Sequence, residues 1–292
     1  MKIAIYARQI DPKSLPYVEI LFDELQKAGC TAVIYQPFYN QVKSLLKENH
    51  RFELFSSGTE IRGSVEFLFS IGGDGTILDT LALVQNSGIP VLGINIGRLG
   101  FLSSISKEQI PDAIGLIVRG QYSLDKRSLL RLESNKTLFG EVNYALNEMT
   151  IHKKDSSSMI IINTYLNGEY LNSYWADGLI ISTPTGSTGY SLSCGGPIIV
   201  PHSENFVLTP IAPHNLNVRP IVVSDKHVIS LEVEGRSQYF LASLDSRSVT
   251  IDSSIQLAVR KEDFTMNLVR IDNDNFLSTL RTKLKWGLDS RN

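Results

Sequence analysis

Cysteine is nearly absent: Cys30 and Cys194 are the whole complement, far apart and in no CxxC or Cys/His spacing. Two thiols cannot build a disulfide framework or a structural zinc site, and their scarcity suits a reducing cytoplasm. An excess of charge of one sign is lacking too, with 28 basic against 30 acidic residues, a formal charge of −2 and no dense Lys/Arg run. That removes the main argument for a nucleic-acid partner or an anionic membrane surface, and leaves small molecules as the expected ligands. No uncharged apolar stretch reaches the roughly 18 residues of a spanning helix. The opening residues MKIAIYARQIDP meet charge and proline too early for the apolar region of a signal peptide. The one long uncharged tract, Gly178 to Ser203, is rich in Gly, Ser, Thr and Pro and reads as loop. Metal-ligand spacing is missing as well: the five histidines are scattered, and His152, His202 and His214 read as structural or solvated.

What is present is an ordinary globular composition, 42% hydrophobic and 20% charged over 292 residues, enough for two domains each with its own core. Lys2 to Ala7 predicts a strand, Pro16 to Gly29 a helix with Val18, Leu21, Phe22 and Leu25 on one face, and Ala32 to Tyr35 a second strand. A second unit repeats the order: strand Phe67 to Ile71, glycine turn Gly72 to Thr76, helix Ile77 to Gln85, strand Pro90 to Ile94. Alternation of this kind implies an open, mainly parallel sheet with helices on its faces. After about residue 120 the period changes to two. Ser128 to Glu133, Met159 to Leu166, Val228 to Glu234, Tyr239 to Leu244 and Ser254 to Arg260 predict strands, and Asn167-Gly168 a hairpin turn. The expected organisation is an α/β N-terminal domain over 1–120 and an all-β domain over 121–265. A segment over 266–292, with helical spacing from Phe276 to Trp286, would then be free to pack back on the first domain.

The sharpest feature is FLFSIGGDGTIL at 67–78, a buried strand that runs into Gly72-Gly73-Asp74-Gly75-Thr76 and then a helix. Glycines there allow positive φ and close approach of a ligand to the main chain, while the helix N-terminus behind favours phosphate. It is neither a Walker A loop, lacking the Lys-Ser/Thr pair, nor GxGxxG. In isolation the pattern also describes a tight turn in which Asp74 caps the helix. A second strand exit, Gly93 to Phe101, again spends glycines at the edge where open sheets bind ligands. A third cluster runs from Trp175 through Asp177-Gly178 to Thr183 to Tyr190 and Ser193. It offers hydroxyls and backbone N–H groups without charge, suited to ribose, base and phosphate oxygens, or else a plain surface loop. Asn147-Glu148, one amide and one carboxylate, is able to hold vicinal hydroxyls; alone it is equally an exposed turn.

In order and spacing these motifs resemble the NAD kinase family over most of the chain. The resemblance implies an α/β domain followed by a β-rich domain with the site between them. It implies transfer of phosphate from ATP to the 2′-hydroxyl of the adenosine ribose of NAD, giving NADP, with a divalent metal, Mg2+ by preference, escorting the triphosphate. Carried over by position, Asp74 is the general base and Gly75 a backbone contact beside it. Asn147 and Glu148 meet the adenosine ribose and base. Asp177, Thr188, Gly189, Tyr190, Ser191, Leu192 and Ser193 add further NAD contacts, and Ala212 walls the adenine pocket. Homotetramers in which neighbouring subunits complete the site are the family habit. Two positions depart from the pattern: Trp175 stands where a basic residue is common, and Arg247, after Asp245-Ser246, is not the expected residue. The GGDG turn is shared in outline by lipid kinases and phosphofructokinases. The first would carry a different segment at Thr183 to Tyr190, the second another α/β half where this chain is β-rich. A catalytically idle dinucleotide-binding regulator is the alternative from outside the enzymes.

Overall fold

The computed structural model describes residues 1–48, 50–97, 100–154, 159–271 and 276–287. The chain divides into two units, Met1–Lys126 with Met266–Asn292, and Arg127–Thr265.

The first unit is wound α/β. Its elements run β1 (Lys2–Tyr6), α1 (Leu15–Lys27), β2 (Thr31–Tyr35), α2 (Gln36–Val42), β3 (Phe52–Phe55), α3 (Gly58–Ile61), β4 (Phe67–Ile71), α4 (Asp74–Val84), β5 (Val91–Asn95), β6 (Ile105–Ser106) and α5 (Ile110–Val118). The strands lie side by side as β3-β2-β1-β4-β5, every pair parallel. β4 and β5 are buried at every residue, as strands covered on both faces must be. The α1 face of Val18, Leu21, Phe22 and Leu25 is the one the spacing predicts, and it packs into the core of this sheet. Gly29 (φ +69) closes that helix in a Schellman motif, with Cys30 N–H on Leu25 O and Gly29 N–H on Gln26 O.

Two elements here differ from expectation. The helix after β4 starts at Asp74 rather than Ile77, so Asp74 is its first residue and not part of a turn before it. α5 lies outside the expected elements although it repeats the α1 pattern. Pro111 lies in its first turn, Ile110, Ala113, Ile114 and Ile117 are buried, and Gly120 (φ +70) follows its end.

The second unit is two antiparallel sheets facing across one core. One has the order β11-β10-β15-β18-β7-β8 and the other β14-β13-β12-β9-β16-β17. The strands are β7 (Ser123–Ser134), β8 (Tyr144–Ala145), β9 (Glu148–Lys153), β10 (Ile160–Leu166), β11 (Glu169–Ala176), β12 (Gly178–Ser182), β13 (Asn205–Ile211), β14 (Ile221–Ser224), β15 (Ile229–Gly235), β16 (Tyr239–Leu244), β17 (Arg247–Asp252) and β18 (Leu257–Arg270). The inward residues of both sheets, among them Ile160, Ile162, Leu231, Met149, Ile181, Phe206 and Phe240, form a single cluster. Asn167 (φ +51) and Gly168 (φ +85) both adopt positive φ between β10 and β11, the two-residue turn that Asn-Gly predicts. The tract Gly178 to Ser203 is not all loop. It opens with the fully buried β12 and contains a one-turn helix, α6 (Tyr190–Ser193).

The chain leaves the first unit within β7 and returns within β18, whose Leu268 pairs parallel with Val91 of β5. α7 (Phe276–Leu284) belongs to the first unit and sets Lys283 Nζ 5.5 Å from the Phe101 ring centroid. Among the described residues, no helix is long and apolar enough to cross a membrane.

Candidate active site

In the first unit the strand order reverses between β1 and β4, and the crevice at their carboxyl ends is where open sheets of this kind receive ligands. The glycine turn leaves β4 at that edge. Gly72 (φ +151) hydrogen-bonds through its N–H to Ile94 O at 3.0 Å, and a Cβ on it would stand 2.3 Å from Thr76 Oγ1. Asp74 follows as the half-buried first residue of α4. Its carboxylate accepts the N–H of Phe101 on Oδ2 at 2.7 Å and the N–H of Leu102 on Oδ1 at 3.1 Å, with Ser103 Oγ at 3.5 Å.

The two glycine-rich strand exits are therefore one device. A Cβ on Gly100 would lie 1.7 Å from Asp74 Oδ1, and one on Gly93 would meet Ile77 Cδ1 at 2.5 Å and Ser103 Cα at 2.8 Å. Glycine is needed at both positions so that the second loop can close on the aspartate. Arg98 and Leu99, within the second exit, lie outside the described residues. Around Gly73 and Gly75, both exposed, there is open space. Across the edge, Tyr6 at the end of β1 lies opposite Ser70, and Arg8 follows two residues later. Its guanidinium forks onto Asp79 of α4, which also accepts the Tyr6 hydroxyl at 3.1 Å.

In the second unit, Asn147 and Glu148 stand at the start of β9, with Glu148 opposite Ser182 at the end of β12. The loop that follows β12 docks directly on them. Thr183 N–H donates to Asn147 O at 2.9 Å, Thr183 Oγ1 to Leu146 O at 2.6 Å, and a Cβ on Gly186 would be 2.1 Å from Asn147 O. Glu148 Oε2 is buried and lacks a hydrogen-bond partner, 3.3 Å from where a Cβ on Gly189 would sit. Burial, with the nearby Asp245 adding to it, pushes the Glu148 carboxyl up to about 8. Burial thus favours the protonated form.

The hydroxyl-rich segment is more self-absorbed than its composition suggests. Thr183, Thr185, Ser187 and Ser191 are buried, bonded to Leu146 O, Arg127 Nη1, Pro184 O and Thr209 Oγ1 respectively. They hold the loop together. Ser191, read as a ligand contact, is buried and ties α6 to β13 through Thr209 Oγ1 at 2.8 Å. Thr188, Gly189 and Leu192 are partly exposed, and Tyr190 and Ser193 are exposed.

Asp177 and Ala212 lie at the opposite end of β12, since Gly178 pairs with both His152 and Ile211. Asp177 Oδ1 takes Lys153 Nζ at 2.6 Å, and exposed Ala212 turns the chain with φ +44 after β13. Trp175 is half exposed, its carbonyl bonded to His214 N–H at 2.8 Å. The two groups are about 13 Å apart along β12 at strand rise, with α6 between them. Burial raises the Tyr190 phenol, and Cys194, Glu148 and Asp177 add to the effect. Candidates strung out over such a length suit an extended ligand with chemistry at each end.

Two family models match the chain, the ATP-NAD kinase N-terminal domain over residues 3–122 and the ATP-NAD kinase C-terminal domain over residues 146–271. An NAD kinase of Cytophaga hutchinsonii is 48% identical over 295 residues, covering all of both chains, and one of Bacteroides fragilis is 46% identical over 292, again covering all of both. Among solved structures, an NAD kinase from Archaeoglobus fulgidus in complex with ATP has a TM-score of 0.73 at 25% identity, over 98% of this chain and 99% of that one. Yeast NADH kinase complexed with NADH has a TM-score of 0.89 at 22% identity, over 99% of this chain and 88% of that one, a likeness of fold.

Proposed function

The chain belongs to the NAD kinase family, and from that premise we propose that it transfers the terminal phosphate of ATP to the 2′-hydroxyl of the adenosine ribose of NAD, giving NADP, with Asp74 as general base. The observation that carries the base assignment is the posture of Asp74. Its carboxylate is half-buried at the carboxyl edge of the sheet, clamped by the N–H groups of Phe101 and Leu102, beside glycines with open space around them.

A ribose hydroxyl is a weak acid, so its proton passes to a carboxylate only as the new O–P bond forms. The 2′-oxygen bonds to the γ-phosphorus, the bond from that phosphorus to the β–γ bridging oxygen breaks, ADP departs, and the proton rests on Asp74. A base that arrives pre-positioned contributes by removing the entropy of its own alignment. A divalent metal, Mg2+ by resemblance, would spread the charge of the transferring phosphoryl group. Mg2+ is usually held by one or two carboxylates together with substrate phosphate oxygens and water, and among the described residues no cluster of three or more His, Cys, Asp or Glu side chains forms a dedicated protein cage.

Asn147 and Glu148 take the adenosine ribose in this reading, the hydroxyls of the sugar entering the place where Glu148 Oε2 has no partner. Thr188, Gly189, Tyr190, Leu192 and Ser193, with Asp177 and the Ala212 wall, serve the rest of the dinucleotide. The assembly is a homotetramer by family habit, to be tested by light scattering. The setting is the cytoplasm, in keeping with two free thiols, Cys30 and Cys194. Incubation with NAD, ATP and Mg2+ should yield the 2′-phosphorylated product. Consumption of neither substrate, with NAD still bound, would favour the idle regulator.

A further inference from the structure

We infer that Asp245 and Arg247 are positioning residues for NAD: from one hairpin tip they hold the backbone of 142–148 and so present Asn147 and Glu148. This rests on the reading of those two residues as NAD contacts. β16 ends at Leu244 opposite Arg247 of β17, which leaves Asp245 and Ser246 as the tip, Asp245 at φ +50.

The Asp245 carboxylate accepts three successive backbone donors: Leu146 N–H on Oδ2 at 2.9 Å, and Asn147 and Glu148 N–H on Oδ1 at 2.8 and 3.2 Å. Its own N–H returns a bond to Glu148 O at 3.0 Å. Arg247 does the complementary work on acceptors. Nη1 donates to Val142 O and Nη2 to Tyr144 O at 2.5 Å, with the guanidinium 5.9 Å from the Phe139 ring centroid.

The segment has need of such a clamp. The ladder of β8 covers only Tyr144 and Ala145, and that of β9 begins at Glu148. Between them the donors of Leu146 and Asn147 have no strand to pair with, and buried backbone donors do not go unpaired without cost. The carboxylate meets that need at a single point, and its charge, beside Glu148, helps keep that side chain neutral before ligand arrives. Arg247 departs from the residue the family resemblance suggests, and its fork faces carbonyls of its own chain.

A clamp that merely stabilised the fold would change melting temperature and nothing specific to NAD. The discriminating measurement is a double-mutant cycle on NAD binding by calorimetry, with ATP binding followed in parallel. Arg247→Met should raise the NAD Kd about tenfold, the loss expected when a misplaced Asn147 or Glu148 forfeits about one hydrogen bond to the ligand. In a Glu148→Ala background the same change should cost about threefold or less, and ATP affinity should hold. An equal factor in both backgrounds, no change in NAD affinity, or a joint loss of NAD and ATP would each overturn the positioning role. If Arg247→Met does not fold, Arg247→Lys, which keeps the charge and one bond, is read through the same cycle. A wild-type chain that fails to bind NAD would instead sink the functional reading itself.

Discussion

The glycine turn of the first unit and the β12 edge of the second reach the same end, a carboxyl group held ready for a ligand, by opposite routes. At Asp74 the placement is nearly local: strand, glycines and first helical residue follow one another between Phe67 and Thr76, and a second loop only 27 to 29 residues away closes over the carboxylate. At Glu148 the placement is collective. The strand start, the loop after β12 and the Asp245 tip, 97 residues distant, all have to be in register before the side chain is set. Neither carboxyl faces water freely, yet Asp74 is surrounded by donors and Glu148 by burial and another acid. On the proposed reading, environment rather than residue type separates a base from a recognition group.

The contrast breaks most sharply at Asp74. Asp74→Asn should lower turnover by about 10² to 10⁴, the usual worth of a general base, with little change in the KM for NAD, as expected when an interaction is made mainly in the transition state. The amide nitrogen would also face one of the two N–H donors, so a loss of roughly 1 to 3 kcal/mol in stability accompanies it. Thermal melts separate the two effects: wild-type turnover in a folded variant would reduce Asp74 to a strut at the helix start. Next comes Gly100→Ala, whose added carbon falls on Asp74 Oδ1. Displacing a reacting group by about 1 Å can cost some 10² in rate, and we expect that loss with NAD affinity intact. Unimpaired kinetics would mean that the loop does not set the carboxylate.

The second region is sharpened by pH. Glu148 sits at about 8 in the folded protein against roughly 4.3 for a free side chain. The folded state therefore holds a proton that the unfolded chain releases. The sign follows: the stabilisation is fully present below about pH 4.3 and is lost as pH rises through 8, at up to about 1.4 kcal/mol per pH unit. Denaturant unfolding from pH 5 to 8 should show that decline in the wild type and a flatter profile in Glu148→Gln. Equal slopes would remove Glu148 from the account. Smallest is Ser191→Ala, which breaks the bond to Thr209. About 1 kcal/mol of stability should go, and the NAD Kd should move no more than that loss explains. A selective fall in NAD affinity would return the hydroxyl to the ligand.

Several things were legible because they depend on short stretches of chain. Phe67–Ile71 is a strand with the predicted bounds, since five apolar residues between turn signals leave little choice. The α1 face and the Asn167-Gly168 turn follow from spacing and from positive φ in the same way. The change of hydrophobic period separates an α/β region from a β-rich one. Other things escaped. β3 is a four-residue strand exposed at three positions, and α3 is one turn closed by a Ser57/Glu60 capping box, so neither carries enough period to be noticed.

By itself the sequence determined which residues are chemically equipped, Asp74 among its glycines and Asn147-Glu148 among the hydroxyls, because motif order and local backbone preference are properties of neighbours along the chain. Only the tertiary structure decided which of those groups keep a free face. Ser191 turns inward to Thr209, burial beside Asp245 raises the Glu148 carboxyl, and Arg247 is spent on carbonyls of 142–144. Burial, hydrogen-bond competition and the field of a nearby charge are set by packing between distant segments, and no spacing along the chain encodes them.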